Sequence, residues 1–304
     1  MKEDLRSEHP VPSIVLFHAG RAQYFFTQLH IELRRRGANV VAVTPGVIEK
    51  LTITLSSRGE KTVPSGVLAL DGQWTLELSS IHGFFFQRQF IFVIPFKGKS
   101  EDVAFKQNEF LGAFRMLTYS VRGTVINRLD PNFWPLSFLG PSILRRYARS
   151  SNCRFTNTVE TLSLAGCSET TPLGSDRDAW ALLPFSGGGR ILPIEGHERH
   201  ASERLSKKIP VRFICGNIAA EVDLYVVAST VIGGYSLDAS VRDRLAAVSV
   251  SIGEDLGIVF FQVRWLCADG GCQLMGVVLD VDLEFLDCDV ADSICSALAR
   301  ELTL

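Results

Sequence analysis

The sequence has no CxxC pair, no lysine-serine or lysine-threonine step after its glycine run, almost no excess charge of either sign and no long hydrophobic stretch. Its seven cysteines, at 153, 167, 215, 267, 272, 288 and 295, are odd in number and scattered. That excludes the even disulfide framework of a small secreted domain, and they read as reduced core residues. With 31 Lys+Arg against 33 Asp+Glu, the net charge is -2. This is too little for an electrostatic grip on nucleic acid or an anionic membrane, so neither is an expected partner. Apolar stretches such as Phe84 to Phe86 and Phe90 to Ile94 fall far short of a membrane span. The opening MKEDLRSEHPVPS is charged where a signal peptide would be apolar. A cytoplasmic protein is expected.

What is present is apolar mass: 46% hydrophobic against 21% charged residues, which excludes disorder. A chain of 304 residues is about twice the usual single domain, so two lobes sharing a groove are expected. Ser13 to Phe17 suits a strand buried on both faces, and Phe25, Leu29 and Leu33 mark one face of a helix stopped by Gly37. Val40 to Val43 returns to the sheet. This β-α-β opening predicts a parallel sheet. Thr52 to Leu55 and Trp74 to Leu78 alternate around an Asp71-Gly72 turn, predicting a hairpin. Phe110, Phe114, Leu117 and Val121 predict a helix stopped at Gly123. The proline-rich segment from Asn127 to Pro141 places the lobe boundary near residue 130, giving lobes of 1–130 and 131–304.

In the second lobe Trp180 to Leu183, Val211 to Ile214 and Val222 to Val227 predict strands, and 195–208 a charged loop or lid. Leu237, Val241, Leu245, Val248, Ile252 and Leu256 predict a long helix ended by Gly257. A hairpin around Asp269-Gly270-Gly271 follows, then a closing helix carrying Val290, Ile294, Leu298 and Leu302, with Asp289 as its cap. The run Phe84-Phe85-Phe86, with Phe90, Phe92 and Phe96, exceeds what one buried face needs. It therefore offers a protein–protein surface, for a homodimer or a partner, beside the plainer core assignment.

Few motifs carry chemistry alone. Gly187-Gly188-Gly189 follows a strand, and glycines let backbone N–H groups approach phosphate, but an ordinary turn has the same composition. His197 and His200 have HxxH spacing without a third ligand, and no cysteine has a thiolate-stabilising neighbour pattern.

The order of these elements, with Glu109 to Gly112, Val125 to Asn127, Phe155 to Thr158, Trp180 to Gly189, Leu256 to Phe261 and the Asp269-Gly270-Gly271 hairpin, resembles the ATP-grasp superfamily over nearly the whole chain. More narrowly it resembles the graspetide synthetases, ATP-grasp ligases that modify ribosomal peptides. The resemblance implies an α/β (α+β) protein, with an N-terminal parallel-sheet pre-ATP-grasp lobe and a C-terminal ATP-grasp-like lobe. It also implies ligation of a carboxylate through an acyl phosphate, with ATP held by two lysines and Mg²⁺ by acidic oxygens.

On those positions this chain departs. The lysines fall on Gly140 and Leu183. With Gly271 as the hairpin glycine, the metal-binding Asp falls on Arg264 and the Glu-x-Asn pair on Val277 and Leu279. The strand after Val222, where relatives place an arginine, reads Asp223-Leu224-Tyr225. Asp280 and Asp282, at period two, are the fallback ligands. Three functions remain open. One is a pseudoenzyme with no expected cofactor or metal, which binds a peptide or an intact ATP-grasp partner. Another is an active ligase using ATP and Mg²⁺ through Asp280, Asp282 and cations such as Arg190, Lys207 or Lys208. The third is an unrelated α/β binding protein.

Overall fold

The computed structural model describes residues 11–56, 65–87, 98–126, 138–139, 144, 158–160, 179–182, 191–194, 212–215, 220–268 and 271–304. They form two compact units, one of residues 1–129 with 283–304 and one of 130–282.

The first unit opens with β1 (Ser13–Phe17), whose five residues are all buried, then α1 (Gln23–Arg35) and β2 (Asn39–Val43). The β-α-β opening is thus present, with Phe25, Leu29 and Leu33 on the buried face of α1. β3 (Leu51–Ser56), β4 (Ser65–Leu70) and β5 (Trp74–Glu77) make a small antiparallel sheet, wider by one strand than the expected hairpin. Gly72, with φ of 69°, closes the tight turn between β4 and β5. β6 (Ile81–Phe86), α2 (Ser100–Ser120) and β7 (Thr124–Ile126) complete a parallel sheet in the order β2-β1-β6-β7.

β6 lies between β1 and β7, so both its edges are paired, and Phe84, Phe85 and Phe86, which alternate between its two faces, are all fully buried. Phe17 stacks on Phe84 with ring centroids 4.9 Å apart and meets Phe114 of α2 edge-on at 4.5 Å. These three phenylalanines are therefore core and cannot supply the surface expected of them; Phe90, Phe92 and Phe96 lie outside the described residues. Gly123 also has a different task from the one expected. Helix α2 ends at Ser120 in an extended cap, and a Cβ on Gly123 would fall on the backbone carbonyl of His82 in β6. Close approach of two strands, rather than helix termination, requires glycine there.

The second unit holds β8 (Phe138–Leu139), β9 (Thr158–Glu160), β10 (Ala179–Leu182), β11 (Ile191–Ile194) and β12 (Arg212–Cys215). Four of them pair in the order β11-β10-β12-β9. β13 (Ala220–Val227), β14 (Thr230–Gly233), α3 (Ala239–Leu256), β15 (Phe260–Ala268) and β16 (Gly271–Val278) follow. Their sheet runs β14-β13-β15-β16-β8 and packs one face against α3, which ends at Gly257 in the left-handed region (φ 64°).

The last helix, α4 (Cys288–Leu302), has Asp287 at its N-cap, so Asp289, expected as the cap, lies within the first turn two positions further in. From sequence the second lobe runs to Leu304. In the structure residues 283–304 return to the first unit, because the apolar stripe of Ile294, Leu298 and Leu302 is buried against α1 and the parallel sheet. A Cβ on Gly83 of β6 would lie 2.6 Å from the carbonyl oxygen of Leu302, so the strand and the helix end touch directly.

Candidate functional site

Strand β15 is central in its sheet, and its alternation separates two chemistries. Phe261, Val263 and Trp265 join Leu245, Ile252 and Leu256 of α3 in one apolar cluster. Trp265 Nε1 donates to Ser249 Oγ at 3.2 Å, and Ser249 in turn donates to the carbonyl of Leu245 at 2.7 Å, so the buried indole N–H is satisfied. Gln262 and Arg264 therefore point to the other face.

Arg264 is only 5% exposed. Its Nε lies 2.7 Å from Glu221 Oε1 and 3.0 Å from Asp223 Oδ1, and Nη2 lies 3.5 Å from Asp223 Oδ2. Asp223 and Arg264 are register partners across β13 and β15, which places guanidinium and carboxylate on the same side of the sheet. Burial pushes the Glu221 carboxyl above its ordinary pKa; the Arg264 charge opposes that shift and the Asp223 charge adds to it. Viewed alone, an arginine at 264 repels a cation. With both carboxylates counted, one +1 and two -1 charges leave these three side chains together at a formal -1, with both carboxylates engaged by the guanidinium.

Val277 pairs with Val263, not with Arg264, whose partner is Gly276. Val277 and Leu279 belong to the α3-side cluster and are 0% and 8% exposed. Arg264 and Val277 thus occupy opposite faces, and no residue at these positions fits Mg²⁺. Among the described residues no group of three or more His, Cys, Asp or Glu could hold a metal. Strand β16 ends at Val278, so Asp280 and Asp282 lie beyond it. They are half-buried and alternate with the buried Leu279, Val281 and Leu283, so both carboxylates fall on the less buried side. Each has a partner of its own. Gly140, Leu183, Gly187, Gly188, Gly189 and the 195–208 loop lie outside the described residues, as do Arg190, Lys207 and Lys208.

Two features had no reading in the sequence. Cys267 and Cys272, register partners in the β15–β16 hairpin, form a disulfide. Two of the seven cysteines are therefore not reduced; the pairing depends on hairpin register, which a Cys-x4-Cys spacing does not announce. The second feature lies in the first unit, at the tips of β1 and β6. His18 stacks on Phe26 with centroids 4.3 Å apart, its Nδ1 accepts the Gly20 N–H at 3.3 Å, and burial lowers its pKa. Gln87, just past β6, accepts the Ala19 N–H on Oε1 at 2.8 Å.

No family model matches the sequence, and no curated protein matches it. Solved structures do match. The macrocyclase MdnC of Microcystis aeruginosa MRC, bound with precursor peptide MdnA, superposes with a TM-score of 0.71 at 13% identity, over 95% of this chain and 99% of that one. A RiPP-associated ATP-grasp ligase of Chryseobacterium gregarium, in complex with ADP and leader and core peptide, gives 0.70 at 10% identity over 96% of each chain. The ATP-grasp ligase PsnB, complexed with precursor peptide PsnA2 and AMPPNP, gives 0.64 at 14%, over 96% and 98%. No described helix is long and apolar enough to cross a membrane. The chain has the mixed α/β fold of the peptide-modifying ATP-grasp ligases.

Proposed function

We propose that this chain is a pseudoenzyme of the ATP-grasp fold, which binds a peptide or an intact ATP-grasp partner protein and does not itself ligate. The observation that carries this reading is the Arg264–Asp223–Glu221 cluster. It fills the place for which the resemblance implies a magnesium acid, and its two carboxylates are committed to a buried guanidinium. Val277 and Leu279, deep in the apolar cluster, offer no oxygen to a cation. Peptide binding is supported by the solved structures of the same fold that hold precursor peptides. A homodimer built on Phe84 to Phe86 is not part of the proposal, since those side chains are core.

One observation favours a second reading, that of an active ligase with ATP and Mg²⁺ as cofactors. Asp280 and Asp282 share the less buried side of their segment, as relocated ligands would. Measuring ATP turnover with Mg²⁺ separates the two. The pseudoenzyme predicts no turnover in the wild type, alone or with peptide. Turnover that disappears in Asp280→Asn with Asp282→Asn would establish the ligase instead.

A further inference from the structure

We infer that the outward face of α2 is an interface with a second copy of this chain, in which two α2 helices pack antiparallel about a two-fold axis at Gly112. The inference uses α2 alone and stands whether or not the chain ligates. At about 100° per residue, Gly112 lies opposite the buried face of Phe114, Leu117 and Thr118. Within about 40° of it on the helix surface stand Phe105, Met116 and Tyr119, which are 65%, 57% and 54% exposed. A helix with one covered face turns polar residues outward, whereas α2 is apolar on two opposite faces and the core covers only one. Phenylalanine, tyrosine and methionine are the apolar residues enriched at protein interfaces.

Gly112 supplies a second observation. It sits in the middle of a 21-residue helix, where glycine weakens the helix relative to alanine. Its φ is not positive, and a Cβ built on it would meet nothing within 4 Å. The chain's own packing therefore does not require glycine there, in contrast to Gly123, whose Cβ would strike the His82 backbone. At the centre of an exposed apolar stripe, the missing side chain lets the backbone of another helix approach closely.

The occupant follows from the spacing. Phe105 and Tyr119 lie seven residues to either side of Gly112, so in an antiparallel pair centred there each residue faces the one equally far beyond the centre. Phe105 then meets Tyr119 of the second copy, twice over by symmetry, and Asn108 meets Met116. The charges are complementary in the same register. Glu109 faces Arg115, three residues from the centre, and Asp102 faces Arg122, ten residues from it. A parallel pair would instead set Glu109 against Glu109 and Asp102 against Asp102. A patch that complements itself in this way is what a two-fold dimer requires.

The patch is one helix wide, at the small end of specific interfaces, so its dissociation constant should be micromolar. Sedimentation velocity of the full chain, from low micromolar to several hundred micromolar, should show a reversible monomer–dimer equilibrium. Gly112→Gln places a good helix former where a Cβ has room, so it should weaken association about tenfold or more without lowering the thermal midpoint. Phe105→Arg should weaken it similarly. Under air oxidation Gly112→Cys should give more covalent dimer than the wild type, because the two copies of position 112 meet on the axis. Tyr119→Cys should not, since it faces position 105, but mixing it with Phe105→Cys should cross-link the two variants. A wild type that stays monomeric throughout, a folded Gly112→Gln variant that dimerises unchanged, or Tyr119→Cys cross-linking to itself as readily as Gly112→Cys would overturn the assignment.

Discussion

Asp223 and Arg264 stand opposite each other in register on β13 and β15, with the carboxylate 3.0 Å from the guanidinium Nε. In the resemblance drawn from sequence, Arg264 falls on an acid position, and Asp223 opens the stretch Asp223-Leu224-Tyr225 of the strand where relatives place an arginine. The two departures from that resemblance meet in one ion pair, extended by Glu221. The pair commits both carboxylates of that sheet face to one buried guanidinium.

Arg264→Met should destabilise the chain by about 2 kcal/mol, because it leaves Glu221 and Asp223 as like charges on a face that was mostly desolvated; the figure is set below the buried-pair range because the carboxylates are about a third exposed. Adding Glu221→Gln and Asp223→Asn should recover most of that loss. Urea denaturation of the single and triple variants measures both, and a triple variant no more stable than the single one would contradict the ion-pair account.

Acid should weaken the first unit through His18. Burial depresses its pKa, so the folded state resists protonation more than the unfolded state does. The stabilisation is therefore complete above the ordinary imidazole pKa of about 6.5 and is lost as pH falls through the depressed folded value. Thermal midpoints of wild type and His18→Phe, which keeps the stacking on Phe26, should converge as pH is lowered from 7.5 to 5. A constant difference across that range would show that His18 does not titrate in this way.

The two free cysteines of α4 should differ in reactivity. Cys288 is exposed, whereas Cys295 is fully buried, donates to the Phe25 carbonyl at 3.3 Å, and has its pKa pushed well up by burial. Iodoacetamide on the native protein, followed by peptide mass spectrometry, should modify Cys288 and spare Cys295. Replacing Cys267 and Cys272 together by serine should cost about 2 kcal/mol by the loop-entropy relation for so short a closure. Treatment of the wild type with reductant should reproduce that loss.

Glycine substitutions should sort by what their Cβ would meet. Gly123→Ala should be severely destabilising, since His82 backbone occupies the space, and Gly253→Ala should cost about 1–2 kcal/mol because the Phe261 ring lies 2.6 Å away. Gly46→Ala meets nothing within 4 Å and should leave the thermal midpoint within a degree or two.

Local periodicity was enough for α1, α3, α4 and the strands beside them, because each buries a single stripe or a continuous run: Leu245, Ile252 and Leu256 needed only their spacing to declare a face. Long-range facts were not legible. The pairing of Arg264 with Asp223 spans 41 residues and depends on which strands are neighbours. The opposite facing of Arg264 and Val277 depends on one register pair, Val263 with Val277. Gln87 and His18 lie at the tips of strands far apart in sequence, with nothing local to connect them. The allocation of α4 failed for the same reason, since an amphipathic stripe does not name the surface it covers.

That allocation has a consequence for biosynthesis. The polypeptide threads out of the first unit at residue 129, builds all of 130–282, and only then supplies the helix whose Leu302 end rests on Gly83. On the ribosome, the parallel sheet waits with one apolar face uncovered while the entire inserted unit is translated, so the unit begun first is finished last. A nascent chain halted before residue 283 should be held by chaperones through that bare face, even with its second unit already folded.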